Sequence, residues 1–268
     1  MNKENEILDR LKSSLSAEEI LRKAMKVPGV RINRARFLRR ELKLFFPEET
    51  VIRAIRYNPA AAGIPPEKIG GISRGVINRE ANEVAGLSVL ASLPVSALPA
   101  AVAGAVAADI VAYFAHIVKA VQELAYLYGF EDFGLDGDEI APEAMETIMV
   151  FLGVMFGIRG SGPVLEKMGG RAAKKTAKRT VRKLVKKELK KNAVIPGAEK
   201  IIAGISVKLT KQMLADAVAS AVPVAGGVAS GLLMVALFKP RCTKLKRKLK
   251  TSPLCDPGFY TAAGSADE

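Results

Sequence analysis

The chain has 268 residues, 49% of them apolar, no Trp and a formal net charge of +14. That apolar share excludes a globally disordered chain, and the length suits one large domain or two small ones. Its two cysteines, Cys242 and Cys255, have neither metal-type spacing nor a secretory context, so a reduced cytosolic setting is expected.

Residues 1–25 alternate charged and apolar positions without an apolar core, so no signal peptide is expected. Ser16-Ala-Glu-Glu19 has capping-box spacing, and Leu21, Ala24 and Met25 continue an apolar face until Pro28-Gly29 ends it. A second helix is expected over residues 34–46. FPEETVIRAIRY opens a third, with Pro47 and two glutamates in a first turn that the helix dipole favours. NPAAAGIPPEKIGG, residues 58–71, reads as a linker. It divides a small N-terminal helical region, 1–60, from an Ala/Gly-rich helical domain, 61–250.

No charge occurs between Val84 and Ala108, and Pro94 and Pro99 argue against one unbroken helix there. The expectation is a helix to about Leu93, a turn, and a helix from Pro99 to Tyr128. In the acidic loop that follows, Asp136 and Asp138 read as capping and solvated groups, because the remaining EF-hand ligand positions do not follow. Met145–Ile158 is an apolar helix interrupted by Gly153 and Gly157. A basic helix over 170–191 comes next, then Ala, Gly and Val again over 198–238, and residues 251–268 read as a flexible tail. Strand-like alternation is hard to find. The expected fold is all-α, with Ala/Gly-rich hairpins packed as a bundle and Gly153, Gly157, Gly227 and Gly231 as close-packing positions.

The positive charge is concentrated. Residues 159–191 hold 13 Lys or Arg against two Glu, and residues 239–250 add 7 basic residues and no acid, so the remainder is net acidic. On the basic helix, Ala173, Ala177, Val181, Leu184 and Val185 share a face. Opposite it, Lys174, Lys175, Lys178, Arg179, Arg182, Lys183, Lys186 and Lys187 form a cationic surface, joined in the second stretch by Lys239, Arg241, Lys244 and Lys246. Such surfaces suit anionic lipid. Nucleic acid uses the same electrostatics, but no aromatic stacking platform or docking motif accompanies them.

Ala217–Phe238 is an uncharged run of 22 residues, 11 of them Ala, Gly or Ser. As one helix it is about 33 Å long, enough for a single crossing. Pro223, Gly226 and Gly227 weaken its middle, and basic residues flank both ends. A hairpin dipping into one leaflet, a hairpin buried in a soluble core and a true span all remain open.

Asp109, His116 and Glu123 form a polar line at seven-residue steps on an apolar helix, with Tyr113 and Lys119 nearby; His116 is the chain's single histidine. Each step is about 10.5 Å, too far for adjacent members to share one metal ion without outside help. A hydrogen-bonded seam against another helix is expected, and within a membrane a proton path. GISRG at Gly71–Gly75 fits G-x-S-x-G, but no strand precedes Ser73 as a nucleophile elbow requires. No P-loop occurs. The residues therefore give no expectation of catalysis, cofactor or metal.

The small-residue run into ADIVAYF at Ala108–Phe114, the IVKAVQELAYLYGF stretch ending at Phe130, and PVAGGVASG at Pro223–Gly231 resemble the EcsC family. The resemblance spans about Ile69–Lys250. EcsC-like proteins are bacterial and mostly helical, and one is encoded beside an ABC transporter, so the resemblance implies membrane association and lends no catalytic residues. The expectation is a non-enzymatic protein on the cytoplasmic side of the membrane, docking on or dipping into the anionic leaflet. Lipid, a membrane protein or a second copy would be its partner. The alternative is a soluble helical module whose basic face binds nucleic acid or an acidic protein.

Overall fold

Three short helices come first in the computed structural model, which describes residues 17–87, 99–135, 140–181 and 227–265. Helix α1 (Ala17–Lys26) has Glu18 and Glu19 in its first turn and Lys23 and Lys26 in its last, the order its dipole favours. Its Ile20, Leu21, Ala24 and Met25 are buried, and it packs against α5. Asn33 caps α2 (Arg34–Leu42), its Oδ1 accepting the Arg36 N–H at 2.9 Å. The helix stops at Leu42, four residues short of the expected end, and Lys43–Phe46 turn toward α3 (Glu48–Arg56).

Arg34 fixes this pair to the rest of the protein. Its guanidinium is buried and donates to the carbonyls of Ile55 (2.8 Å), Tyr57 (3.3 Å) and Phe130 (2.9 Å). It thereby caps the C-terminal carbonyls of α3 from a distance of about 20 residues in sequence.

The expected linker is a packed turn. Asn58 is fully buried, Ala60, Ala61, Ala62 and Ile64 are buried, and Asn58 Oδ1 accepts the Ala61 N–H at 2.7 Å. Alanines and prolines here let the backbone pass close to neighbouring helices, so composition that reads as a spacer is used for contact. A single buried cluster runs from Ile20 and Leu38 through Leu124 and Phe151 to Leu249, so the boundary expected at residue 60 is not a seam in the core.

Helix α4 (Pro66–Leu87) and the long α5 (Pro99–Leu127) pack together, and α5 starts at the proline that the sequence marks. Gly129 ends α5 with φ of 96°, and the Phe130 N–H closes back onto the Ala125 carbonyl at 2.9 Å. A Cβ at Gly129 would also lie 3.0–3.2 Å from Leu254 and Asn58. Gly129 therefore has a structural reason to be glycine.

Helix α6 (Pro142–Phe156) is buried along most of its length. Gly157 does not interrupt it but terminates it, in the left-handed region at φ 74°, and a Cβ there would collide with the Lys244 side chain. Gly153 is buried within the helix, as its expected packing role requires. Helix α7 (Ser161–Val181) carries the start of the basic stretch, and α8 (Gly227–Lys250) packs on α4, α5 and α6. Phe238, Cys242, Leu245 and Leu249 recur at helical spacing and form the buried stripe of α8.

Residues 253–265 are not a loose tail. A 3-10 turn at Pro253–Cys255 and α9 (Pro257–Ser265) bury Leu254, Cys255 and Tyr260 against α7 and the Asn58 turn. Apolar residues inside a polar, Pro-rich stretch carry this contact, which explains why the stretch reads as disordered. The described residues contain helices and no strands, so the fold is all-α. Among them, no helix is long and apolar enough to cross a membrane. Residues 217–226 of the uncharged run lie outside the described residues, and 227–238 belong to α8.

Candidate functional site

The polar line on α5 meets a second polar line on α4. Glu80 and Glu83, one helical turn apart, face His116 and Lys119, which have the same spacing. Lys119 Nζ lies 2.8 Å from Glu80 Oε1 and 2.8 Å from Glu83 Oε2. His116 Nδ1 lies 3.4 Å from Glu80 Oε2 and 3.7 Å from Glu83 Oε2. Two turns along α5, Glu123 Oε1 receives Arg79 of α4 at 3.3 Å and Arg40 of α2 at 3.5 Å. Glu41 completes this end, 3.1 Å from Arg79 and 2.9 Å from Arg40.

The side chains of Glu80 and Glu123 are fully buried. Burial opposes ionisation of Glu80, but the neighbouring His116 and Lys119 outweigh it and hold its carboxyl below the ordinary range. Glu123 goes the other way. Burial and then the neighbouring Glu80 charge push it up to about 8, against Arg79, Lys119 and Arg40. Glu123 Oε2 is buried without a hydrogen-bond partner. Charge balance agrees: four carboxylates face Arg40, Arg79 and Lys119, and a proton on Glu123 evens them.

Cys242 of α8 approaches the same region, and burial, then Glu80 and Glu123, push its thiol pKa upward. Burial pushes Cys255 up to about 12, and its thiol hydrogen bonds to the Leu249 carbonyl at 3.1 Å. Burial thus disfavours the thiolate at both cysteines.

The seam expected from Asp109, His116 and Glu123 is thus present for two of the three. Asp109 lies on α5, outside the residues whose side chains are described. Sequence reasoning missed Glu80, Glu83 and Arg79, which stand together in a helix that also carries Glu67, Lys68 and Arg74, so their grouping gives little signal. Ser73 sits within α4, fully buried, donating to the Gly70 carbonyl at 3.1 Å with its Oγ 3.2 Å from Tyr128 Oη. A helix interior does not have the strand–turn–helix geometry of a nucleophile elbow.

The cationic residues separate into two groups. On α7, Val164, Leu165, Ala173, Thr176 and Ala177 point inward, while Lys167, Arg171 and Lys174 are exposed. Lys175 pairs with Glu131 at 2.8 Å. Lys178, Arg179, Arg182, Lys183, Lys186 and Lys187 fall outside the described side chains. On α8, Arg241 donates to Tyr113 Oη at 2.8 Å and lies 4.3 Å from the centre of the Phe156 ring. Lys246 donates to the Gly70 carbonyl at 2.9 Å, and Lys248 pairs with Glu166. Lys239 is half-buried, while Lys244 is exposed, as its expected surface role requires. Arg241 and Lys246 are therefore corrected from surface residues to groups that join α8 to its neighbours.

A third surface was not read from the sequence. At the tip between α2 and α3, Leu44 is 74% exposed, Phe45 61% and Ile52 48%. Exposed Arg36, Arg39, Arg40, Lys43, Arg53 and Arg56 lie on the same two helices and their turn, Arg39 pairing with Glu48. Reading α2 through to Phe46 hid this tip, because LKLFF then looks like one more helical turn. Three comparisons with known proteins, against family models, curated proteins and solved structures, found no match for this chain.

Proposed function

We propose that the protein docks peripherally on the anionic cytoplasmic leaflet, as a non-enzymatic scaffold or accessory of a membrane assembly in the manner the EcsC-like motifs imply. The observation that carries this reading is the α2–α3 tip, where two large apolar side chains project at 74% and 61% exposure among cations. Fully burying one such side chain is worth about 1.5–3 kcal/mol. Each cation close to an anionic leaflet adds about 1 kcal/mol. Stable attachment needs two such signals together, and this tip has both.

Helix α7 adds to the same reading. Its apolar side is used in the fold, so its outward side offers charge alone, in Lys167, Arg171 and Lys174. That favours docking on headgroups over deep insertion.

Cosedimentation tests the proposal, using phosphatidylcholine vesicles with and without phosphatidylserine. Binding only to the anionic vesicles, reversed by salt, is expected, and Leu44→Ser with Phe45→Ser should weaken it at least about tenfold. Binding to DNA or RNA with none to vesicles would overturn the reading and leave the soluble module. Retention of the membrane-bound protein through a carbonate wash would replace docking by insertion of the 217–238 segment.

A further inference from the structure

We infer that Glu80, Glu83 and His116 form a divalent-cation site, which the Lys119 ammonium fills when no ion is bound. One ligand atom from each residue lies within 4.8 Å of the other two. Ligand bonds of about 2.0–2.2 Å at tetrahedral angles place neighbouring donor atoms about 3.4 Å apart. His116 Nδ1 stands 3.4 Å from Glu80 Oε2 and 3.7 Å from Glu83 Oε2. These separations are long for hydrogen bonds, whose ordinary range ends near about 3.2 Å, and suit two edges of a metal tetrahedron.

A second observation is independent of that spacing. The Glu80 side chain is fully buried, and its Oε1 makes no hydrogen bond of acceptable geometry although Lys119 Nζ is 2.8 Å away. The contact is one of charge without alignment, and it leaves a buried carboxylate oxygen of the cluster, beside the Oε2 that faces His116, with unused acceptor capacity. The ammonium bridges Glu80 and Glu83 where a cation would sit, but one positive charge faces two negative ones. A divalent ion would balance both carboxylates and release Lys119, whose side chain is 21% exposed and long enough to turn outward.

Access and ligand type narrow the ion. Glu83 is 42% exposed and His116 19%, so the cluster opens to solvent on their side and is closed on the Glu80 side. Three protein ligands leave one position for water. One imidazole nitrogen with two carboxylates suits Zn²⁺ and similar first-row ions better than Mg²⁺ or Ca²⁺, which take oxygen ligands. No thiol is among the three ligand-bearing residues. None of this depends on membrane docking.

The test is titration of the chelator-treated full chain with Zn²⁺ by calorimetry and with Co²⁺ by visible absorption. One ion per chain is expected, with a cobalt spectrum lacking thiolate charge transfer. His116→Ala and Glu83→Gln, both at solvent-accessible positions, should each weaken binding at least about tenfold. Lys119→Met removes the resident cation and should tighten binding several-fold, with circular dichroism confirming that all three variants stay folded. That opposite response separates a ligand site from a structural ion-pair network, in which all three changes would only destabilise. Absence of binding in both wild type and Lys119→Met, unchanged affinity in His116→Ala, or a thiolate–cobalt band would each overturn the assignment.

Discussion

Helices α7 and α8 carry the two basic stretches and divide their cations differently, α8 turning Arg241, Lys246 and Lys248 to neighbours while leaving Lys244, Arg247 and Lys250 exposed. Helix α7 buries small apolar residues and leaves Lys167, Arg171 and Lys174 in solvent. Helix α8 buries Phe238, Cys242, Leu245 and Leu249, and turns cations from the flanks of that stripe toward neighbours: Arg241 to Tyr113 and Phe156, Lys246 to Gly70, Lys248 to Glu166. Charge density along a sequence therefore does not locate a surface. What decides is where each cation stands around the helix relative to its buried stripe. Long basic side chains at the edge of such contacts bury their stems and reach acceptors.

Substitutions should separate these two uses. The largest effect on stability is expected at Phe238→Ala, about 3–5 kcal/mol in urea denaturation, because the ring is fully buried on α8. A negligible cost without lipid would mean that this end of α8 is not core, and the contrast between the helices would collapse. Next comes Lys167→Gln with Arg171→Gln and Lys174→Gln. At about 1 kcal/mol each, the triple variant should lose about a hundredfold in affinity for anionic vesicles. Its stability should stay within about 0.5 kcal/mol of wild type, as exposed positions usually do.

Arg241→Gln should behave in reverse. Losing the charge-assisted bond to Tyr113 and the contact with Phe156 should cost about 1–3 kcal/mol of stability, measured by denaturation, and leave vesicle affinity nearly unchanged.

The smallest effect concerns Glu123, which faces Arg40 and Glu41 of α2, Arg79 and Glu80 of α4, Lys119 of its own helix and Cys242 of α8. Its pKa is raised from 4.5 to about 8 on folding, so its favourable contribution is complete below about 4.5 and is lost as pH rises through about 8. Glu80 has the opposite sign, being lowered, and loses its contribution only as pH falls below 4.5. Wild-type Tm should therefore decline from about pH 5 to pH 9, and Glu123→Gln should flatten that decline. Equal slopes in the two proteins would show that Glu123 stays ionised across the range.

The helical class and several boundaries were legible from local signals. Pro99 opens α5 as expected, whereas Gly153 and Gly157, expected as interruptions, lie inside α6 and at its stop, with Lys244 packed over Gly157. His116 and Glu123 were legible as a seam because a seven-residue step survives any packing arrangement. Their partners were not. An i, i+3 pair such as Glu80 and Glu83 fixes a face of α4 and says nothing about which helix will cover it. The same limit applies to Asn58 and Tyr260. Each sits in a Pro-containing stretch with the composition of a loop, and nothing in either stretch points to the other.

That contact sets a condition on the order of assembly. Asn58 Nδ2 donates to Tyr260 Oη at 2.7 Å, across a separation of 202 residues. While the chain is being synthesised, the Asn58 amide has an acceptor missing until residue 260 has left the ribosome. The packing of the 58–64 turn thus depends on a contact of high sequence separation, the kind whose loop-closure cost is met late in folding. Deleting α9 is expected to expose this turn, and faster limited proteolysis within 58–64 would show it.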